Sequence, residues 1–157
     1  MSNDQYNLDS MVCFAIYSAS NAVAKAHKAV LAPWELTYTQ YIVLLETEVS
    51  ADGVTVGELG ARMNLDSGTL SPLLRRLDVR GLVSRDRTSA DERVVTVKVT
   101  DAGAAMLREL RGSLKDLRGA YGFESQDQAN QLVAELHRIT EGMRHLAAST
   151  TGSTHPS

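Results

Sequence analysis

The sequence has few residues of several types, and each scarcity excludes a class of protein. Only one of its 157 residues is cysteine, which rules out an intramolecular disulfide framework and a multi-cysteine zinc site. The apolar runs are only a few residues long, too short to span a bilayer. The first ten residues, MSNDQYNLDS, contain neither the basic nor the apolar region of a secretory signal. We therefore expect a cytoplasmic protein in a reducing environment, with no metal and no cofactor.

Proline is also scarce, with 3 residues, and glycine is modest, with 11, so few positions interrupt helices. Capping-box sequences begin at Thr37, Thr55 and Ser125, and Asp66 and Thr100 are suitable N-caps. Together with apolar residues at helical spacing, these caps predict six helices, at about 8–31, 37–49, 55–63, 66–81, 101–117 and 125–148. Pro33 is expected to end the first helix and Gly81 the fourth.

Between the fourth and fifth helices the periodicity changes from helical to alternating. Val95, Val97 and Val99 alternate with their neighbours as in a strand, with Leu82–Arg85 as a partner strand and the charged segment Asp86–Arg93 as the hairpin tip. A helix-turn-helix followed by a hairpin is a winged helix. The sequence thus predicts a mainly α protein with a small β hairpin, divided into a winged helix-turn-helix at 37–100, long dimerisation helices at 8–31 and 101–148, and a flexible tail at 149–157.

The first and last helices carry more apolar surface than a small winged-helix module can cover. In the last helix one stripe is formed by Leu132, Leu136, Ile139, Met143 and Leu146. We interpret both helices as a homodimer interface, because a two-fold protein matches a palindromic DNA site. The alternative is ordinary packing within a monomeric helical bundle.

Charge is distributed unevenly along the chain. The net charge is −3, yet residues 70–98 contain seven basic and four acidic residues and carry +3, which leaves −6 for the remainder. A local basic patch on an acidic body is typical of a nucleic-acid-binding module joined to a separate scaffold. The predicted partner is double-stranded DNA with an inverted-repeat operator.

The fourth predicted helix has one apolar face, formed by leucines 70, 73, 74 and 77, and one polar face. The polar face is free to enter a major groove, and small residues at the N-terminus permit close approach to phosphates. The candidate DNA-binding residues of this helix are Ser67, Gly68, Thr69, Ser71, Pro72, Arg75 and Arg76. On the wing, Arg85, Arg87 and Arg93 are candidates for a narrow minor groove. The alternatives are a solvated helix face and a charged surface hairpin.

The single cysteine lies early in the first helix. Cys13, Tyr17, Ser20, Ala24 and His27 share one face, and the Tyr17 hydroxyl is close enough to hydrogen-bond the sulfur. His27 lies about 21 Å further along the helix axis, so it reaches Cys13 only across an antiparallel pair of first helices. Such surroundings can lower the pKa of a thiol and make it a target of peroxides. The alternative is a buried structural cysteine.

Several of these segments resemble a known family. The stretch LTYTQYIVLLE and the segment from VTVGELGARMN to VTDAG are similar to MarR-family winged-helix repressors, over about residues 8–146. Asp91-Glu92-Arg93 matches the wing signature of that family. MVCFAIYSAS together with LDSGTLSPLLRRL resembles the organic hydroperoxide sensors of the OhrR type, in their one-cysteine subtype.

The resemblance implies a homodimeric repressor of a hydroperoxide-detoxification gene. Cys13 would be the sensing thiol, oxidised by an organic hydroperoxide and then locked in a mixed disulfide with a low-molecular-weight thiol. Tyr38 and Tyr17 match tyrosine positions of the family's thiol network, whereas a further tyrosine position is occupied by His27, a departure from the pattern. The DNA contacts that the resemblance implies are Ser67, Gly68, Thr69, Ser71, Arg75 and Arg76 on the fourth helix, and Arg93 in the minor groove.

Two other functions remain open from sequence. One is a repressor released by a small aromatic ligand, with Cys13 structural, although an aromatic content of 5% makes an aromatic pocket less attractive. The other is a thiol peroxidase, which the absence of a resolving cysteine disfavours. We therefore predict a regulator and not an enzyme.

Overall fold

The computed structural model describes residues 8–87 and 94–151. It confirms a mainly α winged helix, with a small antiparallel sheet. Three-residue 3-10 helices cover Leu8–Ser10 and Ala32–Trp34. The remaining elements are α1 (Val12–Leu31), α2 (Tyr38–Val49), β1 (Val54–Thr55), α3 (Val56–Met63), α4 (Ser67–Val79), β2 (Val83–Arg87), β3 (Val95–Val99), α5 (Asp101–Ala120) and α6 (Gln126–Thr151).

Two predicted capping boxes form completely. The Thr37 hydroxyl accepts from the Gln40 backbone N–H at 3.2 Å, and the Gln40 side chain accepts from the Thr37 N–H at 2.9 Å. Thr55 and Glu58 make the same reciprocal pair at the start of α3. The hydrogen bond from the Thr55 backbone lowers the pKa of Glu58. Because these bonds satisfy donors that a helix N-terminus leaves open, both helices begin where the sequence predicts.

The capping of the last two helices differs in detail. Thr100 caps α5 as predicted, since its hydroxyl accepts from the Gly103 N–H at 3.1 Å. The Ser125 hydroxyl accepts from the Gln128 N–H at 3.2 Å, but the Gln128 side chain accepts from Glu124. The predicted capping box at Ser125 is therefore only half formed, because the Gln128 amide reaches one residue further back.

The first helix begins later than predicted. Leu8–Ser10 forms a separate 3-10 turn, and Met11 is extended with φ −86° and ψ 114°, so α1 begins at Val12. Its end agrees with the prediction: α1 ends at Leu31, and Pro33 lies at the start of the following 3-10 helix. Proline fits this position because the first N–H groups of a helix have no partner within it.

The predicted two-stranded hairpin is wrong in two respects. The sheet has three strands in the order β1–β3–β2, with Val54 opposite Val97. A two-residue strand is too short to show alternation, which is why the sequence did not reveal β1. The strand predicted at Leu82–Arg85 runs instead over Val83–Arg87, so part of the predicted tip is paired with β3.

The core lies between the winged-helix elements and α5. Leu70, Leu74 and Leu77 of α4 are fully buried as predicted, whereas Leu73 is only half-buried. They pack in one cluster with buried side chains from α2, α3, the sheet and α5, among them Leu44, Leu59, Val83, Val97, Leu107 and Leu110. This packing fixes α4 by its apolar face and leaves its polar face outward.

The chain divides into two compact units, one ending at Leu117 and the other beginning at Arg118. The boundary lies within α5, which extends to Ala120 rather than ending near Leu117. The helix α6 continues to Thr151, so the predicted tail at 149–157 is helical over its first three residues. The Ser149 and Thr150 hydroxyls donate to the Leu146 carbonyl at 2.8 Å and so satisfy an acceptor near the helix end. Within the described residues, no helix is both long and apolar enough to cross a membrane.

Candidate DNA-binding surface and thiol site

The polar face of α4 is exposed along its whole length. Because the buried leucines hold the opposite face, every candidate that the sequence places on this helix is accessible to a ligand. The exposed candidates are Ser67, Gly68, Thr69, Ser71, Pro72, Arg75 and Arg76. A helix presented in this way has the shape that a major groove of DNA admits.

The N-terminus of α4 is capped by its own carboxylate. Asp66 accepts from the Thr69 backbone N–H and from the Thr69 hydroxyl, both at 2.9 Å. These bonds, the backbone one foremost, lower the pKa of Asp66. A Cβ at Gly68 would lie 2.9 Å from the Asp66 carboxylate, so glycine leaves room for the cap. The Thr69 donors are thus occupied, and only its hydroxyl oxygen remains to accept a hydrogen bond.

Pro72 lies in the interior of α4, where it cannot donate to the Gly68 carbonyl. Its ring is exposed and lines a groove of about 480 Å³ between the start of α2 and α4. The groove is also lined by Thr37, Thr39, Gln40, Leu65, Gly68, Thr69, Leu73 and Arg76. The proline therefore presents an apolar surface beside the basic end of the helix.

A second groove, of about 500 Å³, brings the basic residues of α4 beside the start of α2. Its lining residues are Glu35, Gln40, Arg75, Arg76, Val79 and Arg80. Arg80 donates from its two terminal nitrogens to the carbonyl oxygens of Glu35 and Trp34, at 2.9 and 2.7 Å. The sequence showed Arg80 only as part of the basic patch, because these partners lie 45 and 46 residues away.

The wing arginines divide into different environments. Arg85 lies in the middle of β2, opposite the fully buried Val97, so the two side chains share the core-facing side of the sheet. Its Nε is buried and has no hydrogen-bond partner among the described residues. The sequence places Arg85 at the end of its strand, next to the hairpin tip, whereas β2 continues to Arg87, so Arg85 lies inside the strand. Arg87, at the end of β2, is exposed, and Arg93 lies outside the described residues.

Cys13 is exposed in the first turn of α1. The single chain therefore does not bury the thiol as the structural alternative requires. Tyr17, one turn further on, is 64% exposed, and its ring lies 6.4 Å from that of Phe14. In the part of the chain that the structure describes, no hydrogen bond joins the Tyr17 hydroxyl to the sulfur.

His27 and Tyr38 meet at the other end of α1. His27 is only 6% exposed, and its Nδ1 lies 2.9 Å from the Val23 carbonyl, so this nitrogen carries a proton. Its ring meets the Tyr38 ring edge-on, with centroids 4.4 Å apart, and Tyr41 lies 6.5 Å beyond. The structure thus brings together two of the predicted network residues, separated from Cys13 and Tyr17 by the length of the helix. Across the described residues, no group of three or more His, Cys, Asp or Glu side chains is arranged to hold a metal ion.

A buried helix-turn-helix core, a three-stranded wing and an outward basic helix together define a winged-helix transcriptional regulator. Residues 25–110 match the profile of the SarA/Rot transcriptional regulators. The HTH-type transcriptional regulator TtmR of Methylorubrum extorquens is 40% identical over 151 residues, covering 94% of this chain and 75% of that protein. The organic hydroperoxide resistance transcriptional regulator of Bacillus subtilis is 33% identical, covering 88% of this chain and 92% of that one.

The solved structures that this chain resembles are also transcriptional regulators. The overoxidised AbfR bound to DNA, a protein of Staphylococcus epidermidis, is 26% identical with a TM-score of 0.72 and covers 91% of this chain and 99% of that one. A MarR-family transcriptional regulator from Rhodococcus sp. RHA1 is 26% identical with a TM-score of 0.75, covering 87% and 97%. The chain belongs to the SarA/Rot family of transcriptional regulators, and MarR-family winged-helix regulators are among its structural neighbours. The predicted resemblance is confirmed, and the family is one of regulators rather than enzymes, which removes the thiol peroxidase.

Proposed function

We propose that the protein is a homodimeric repressor that releases an inverted-repeat operator when an organic hydroperoxide oxidises Cys13. Release would derepress a peroxide-detoxification gene. The observation that carries the proposal is the exposed thiol of the chain's one cysteine on α1. The Bacillus subtilis relative, named for organic hydroperoxide resistance, and the overoxidised AbfR structure support the same chemistry.

The proposed oxidation proceeds in two balanced steps. The Cys13 thiolate attacks one oxygen of the hydroperoxide, the O–O bond breaks, and an alcohol leaves as the sulfur becomes a sulfenic acid. A low-molecular-weight thiol then attacks that sulfur, a mixed disulfide forms and water leaves. An external thiol is required because the chain has no second cysteine.

The proposed DNA complex places α4 in the major groove. Arg75 and Arg76 have the geometry to bind guanine edges or phosphates, while the small N-terminal residues permit close approach. The Pro72 ring offers an apolar contact for a thymine methyl group. On the wing, Arg87 and Arg93 are the better minor-groove candidates, because Arg85 is turned toward the core side of the sheet.

The proposed dimer interface uses α1 and α6. Only His27 and Leu31 of α1 are buried, and no described side chain of α6 is. The apolar stripe of α6 remains exposed, with Leu136 at 40% and Met143 at 61%. Exposed apolar surface of this extent is typical of an interaction site, and a second copy of the chain would bury it.

The dimer also completes the proposed thiol network. In an antiparallel pair of α1 helices, Cys13 of one protomer meets the partner's His27 near the end of α1, where Tyr38 of α2 contacts the imidazole. Tyr17 stays one turn from the thiol on its own helix. An imidazole and phenol hydroxyls around a thiol stabilise its thiolate. An adduct at Cys13 would separate these helices and rotate the two winged domains out of register.

Replacing Leu136 by glutamate is expected to convert the dimer into a monomer, because two carboxylates would then have to be buried in the interface. Sedimentation velocity at micromolar concentration measures the change. The matched control is Gln131→Glu, which adds the same charge about 140° around α6 and is expected to leave the dimer intact. A Leu136→Glu chain that sediments as a dimer contradicts the interface.

The function is tested by fluorescence anisotropy on DNA from the region upstream of the protein's own gene. Three samples are compared: reduced protein, protein treated with cumene hydroperoxide and free cysteine, and treated Cys13→Ser protein. We expect tight binding by the first and third samples and loss of binding by the second. Intact mass should show one cysteine adduct on the treated wild-type chain alone.

Other outcomes decide against the proposal. If the treated Cys13→Ser protein also loses operator binding, the residue that responds to hydroperoxide is not Cys13. If treated wild-type protein carries the adduct and still binds, Cys13 is not the switch. A screen for aromatic ligands that release the operator would then test the alternative.

A further inference from the structure

Arg80 links two parts of the chain that are far apart in sequence. It is the C-cap residue of α4, and its guanidinium donates to the Glu35 carbonyl through one terminal nitrogen and to the Trp34 carbonyl through the other. A guanidinium presents its donors in a fixed planar fork, so two bonds of this kind fix direction as well as distance. The side chain therefore holds the end of α4 against the turn between α1 and α2.

The turn that receives Arg80 has a fixed backbone. The Glu35 N–H donates to the Ala32 carbonyl at 3.0 Å, and the Leu36 N–H donates to the Leu31 carbonyl at 3.4 Å. Glu35 adopts the left-handed conformation with φ 52°, which is uncommon for a residue other than glycine. Because Leu31 and Leu36 are buried on either side, a displacement of the last turn of α1 moves the carbonyls that Arg80 binds.

The other end of the link reaches the basic residues of α4. The Arg80 backbone N–H donates to the Arg76 carbonyl at 3.2 Å. Arg75, Arg76 and Arg80 line one groove together with Glu35. One continuous path of hydrogen bonds thus runs from the α1–α2 turn through Arg80 to the part of α4 that carries the exposed arginines.

We infer that Arg80 couples the position of the α1–α2 turn to the position of α4 on DNA. Its partners are backbone carbonyls, so it acts as a positioning residue and does not need to touch DNA itself. The coupling is reciprocal, since DNA that shifts α4 must also shift the turn. As a route from oxidised Cys13 to the operator it rests on the proposed function, whereas the coupling itself is measurable without oxidation.

The chain contains its own reporter for this coupling. Trp34 is its only tryptophan, it lies in the turn, and its indole N–H donates to Glu109 at 3.4 Å. The probe is a duplex selected by reduced wild-type protein from a random-sequence pool. In wild-type protein we expect saturation with this duplex to change the Trp34 emission. In Arg80→Lys we expect that change to be lost, because an ammonium lacks the planar fork.

Lysine keeps the positive charge at position 80. Arg80→Lys therefore tests the loss of the two hydrogen bonds separately from the loss of charge near DNA. The salt dependence of duplex binding by Arg80→Lys should match that of wild type, and its thermal melting should remain cooperative. Arg80→Ala is the second variant: it is expected to lose the emission change as well. An equal emission change in wild type and Arg80→Lys, or no change in wild type, overturns the inference.

Failure of this inference and failure of the proposed function give different results. If wild-type protein reports duplex binding through Trp34 and keeps the duplex after hydroperoxide treatment, the coupling stands and redox sensing fails. If hydroperoxide releases the duplex while Arg80→Lys keeps the full Trp34 response, redox sensing stands and the coupling through Arg80 fails.

Discussion

Replacing Arg75 and Arg76 together by alanine is expected to weaken operator binding on the order of a thousandfold in Kd. Both side chains are exposed on α4, where the buried leucines of the opposite face hold the helix. A two-fold dimer loses four arginines in the double variant. At about 1 kcal/mol for each contact, the low end for an arginine that reads a base, the loss is about 4 kcal/mol.

The measurement is anisotropy with the selected duplex, repeated over a range of salt concentrations. An arginine on a phosphate contributes about 0.9 to the slope of log K against log salt, whereas an arginine on a base edge changes discrimination among sequences. The single variants therefore assign the two arginines to separate roles. The control is Arg108→Ala with Lys115→Ala, which removes equal charge from exposed positions on α5.

The outcome discriminates between two hypotheses: that α4 binds in the major groove, and that its polar face is only a solvated, charged surface. If α4 is only a charged surface, the double variant and its α5 control should weaken binding equally, through net charge alone. A double variant that binds within threefold of the control would contradict the placement of α4 in the major groove. Cooperative urea unfolding of both variants is required, so that a loss of fold is not taken for a loss of contact.

The elements that sequence predicts best are those set by neighbouring residues. The boxes at Thr37 and Thr55 and the cap at Asp66 need only side chains three residues apart, and each forms as expected. Likewise the alternation at Val95–Val99 marks a strand with one buried side. Local hydrogen bonding and periodicity thus account for most of the helix starts and for strand β3.

Features that depend on distant partners escaped prediction. The strand β1 exists because its two residues pair with β3, which lies over forty positions later in the chain. The residues next to β1 in sequence carry no pattern that predicts this pairing. The core-facing position of Arg85 follows from the pairing register of β2 on β3, and a shift of that register by one residue would turn the side chain to the other face. The partners of Arg80 are likewise distant backbone carbonyls, which no sequence pattern records.

In the candidate thiol site, too, the sequence predicts what neighbouring residues determine and misses what distant partners determine. Helical spacing places Cys13 and Tyr17 on one face of α1, but it does not show that the sulfur lacks a hydrogen bond to the tyrosine. The edge-on contact of His27 with Tyr38 depends on how α1 packs against α2, a tertiary relation. The proposed contact of Cys13 with the partner's His27 is harder still to predict from sequence, because it depends on how two chains pair.

Replacing Gly103 by alanine is expected to destabilise the winged-helix unit by about 3 kcal/mol, at the upper end of the usual cost of overpacking. A Cβ at this position in the first turn of α5 would overlap the Leu82 carbonyl oxygen and lie 2.9 Å from the Val99 side chain. That carbonyl cannot easily move, because it accepts from the Thr100 N–H at 3.1 Å and the neighbouring Leu82 side chain is buried.

The matched control is Gly112→Ala in the same helix, where an added Cβ meets nothing within 4 Å. There alanine should stabilise the protein by about 1 kcal/mol through helix propensity alone. Urea unfolding of the two variants should therefore give free energies on opposite sides of wild type. If Gly103→Ala costs less than 1 kcal/mol, the start of α5 does not pack closely on Leu82 and Val99. A shifted wing would also carry Arg87 away from its position, so the same variant should lose operator affinity even where it remains folded.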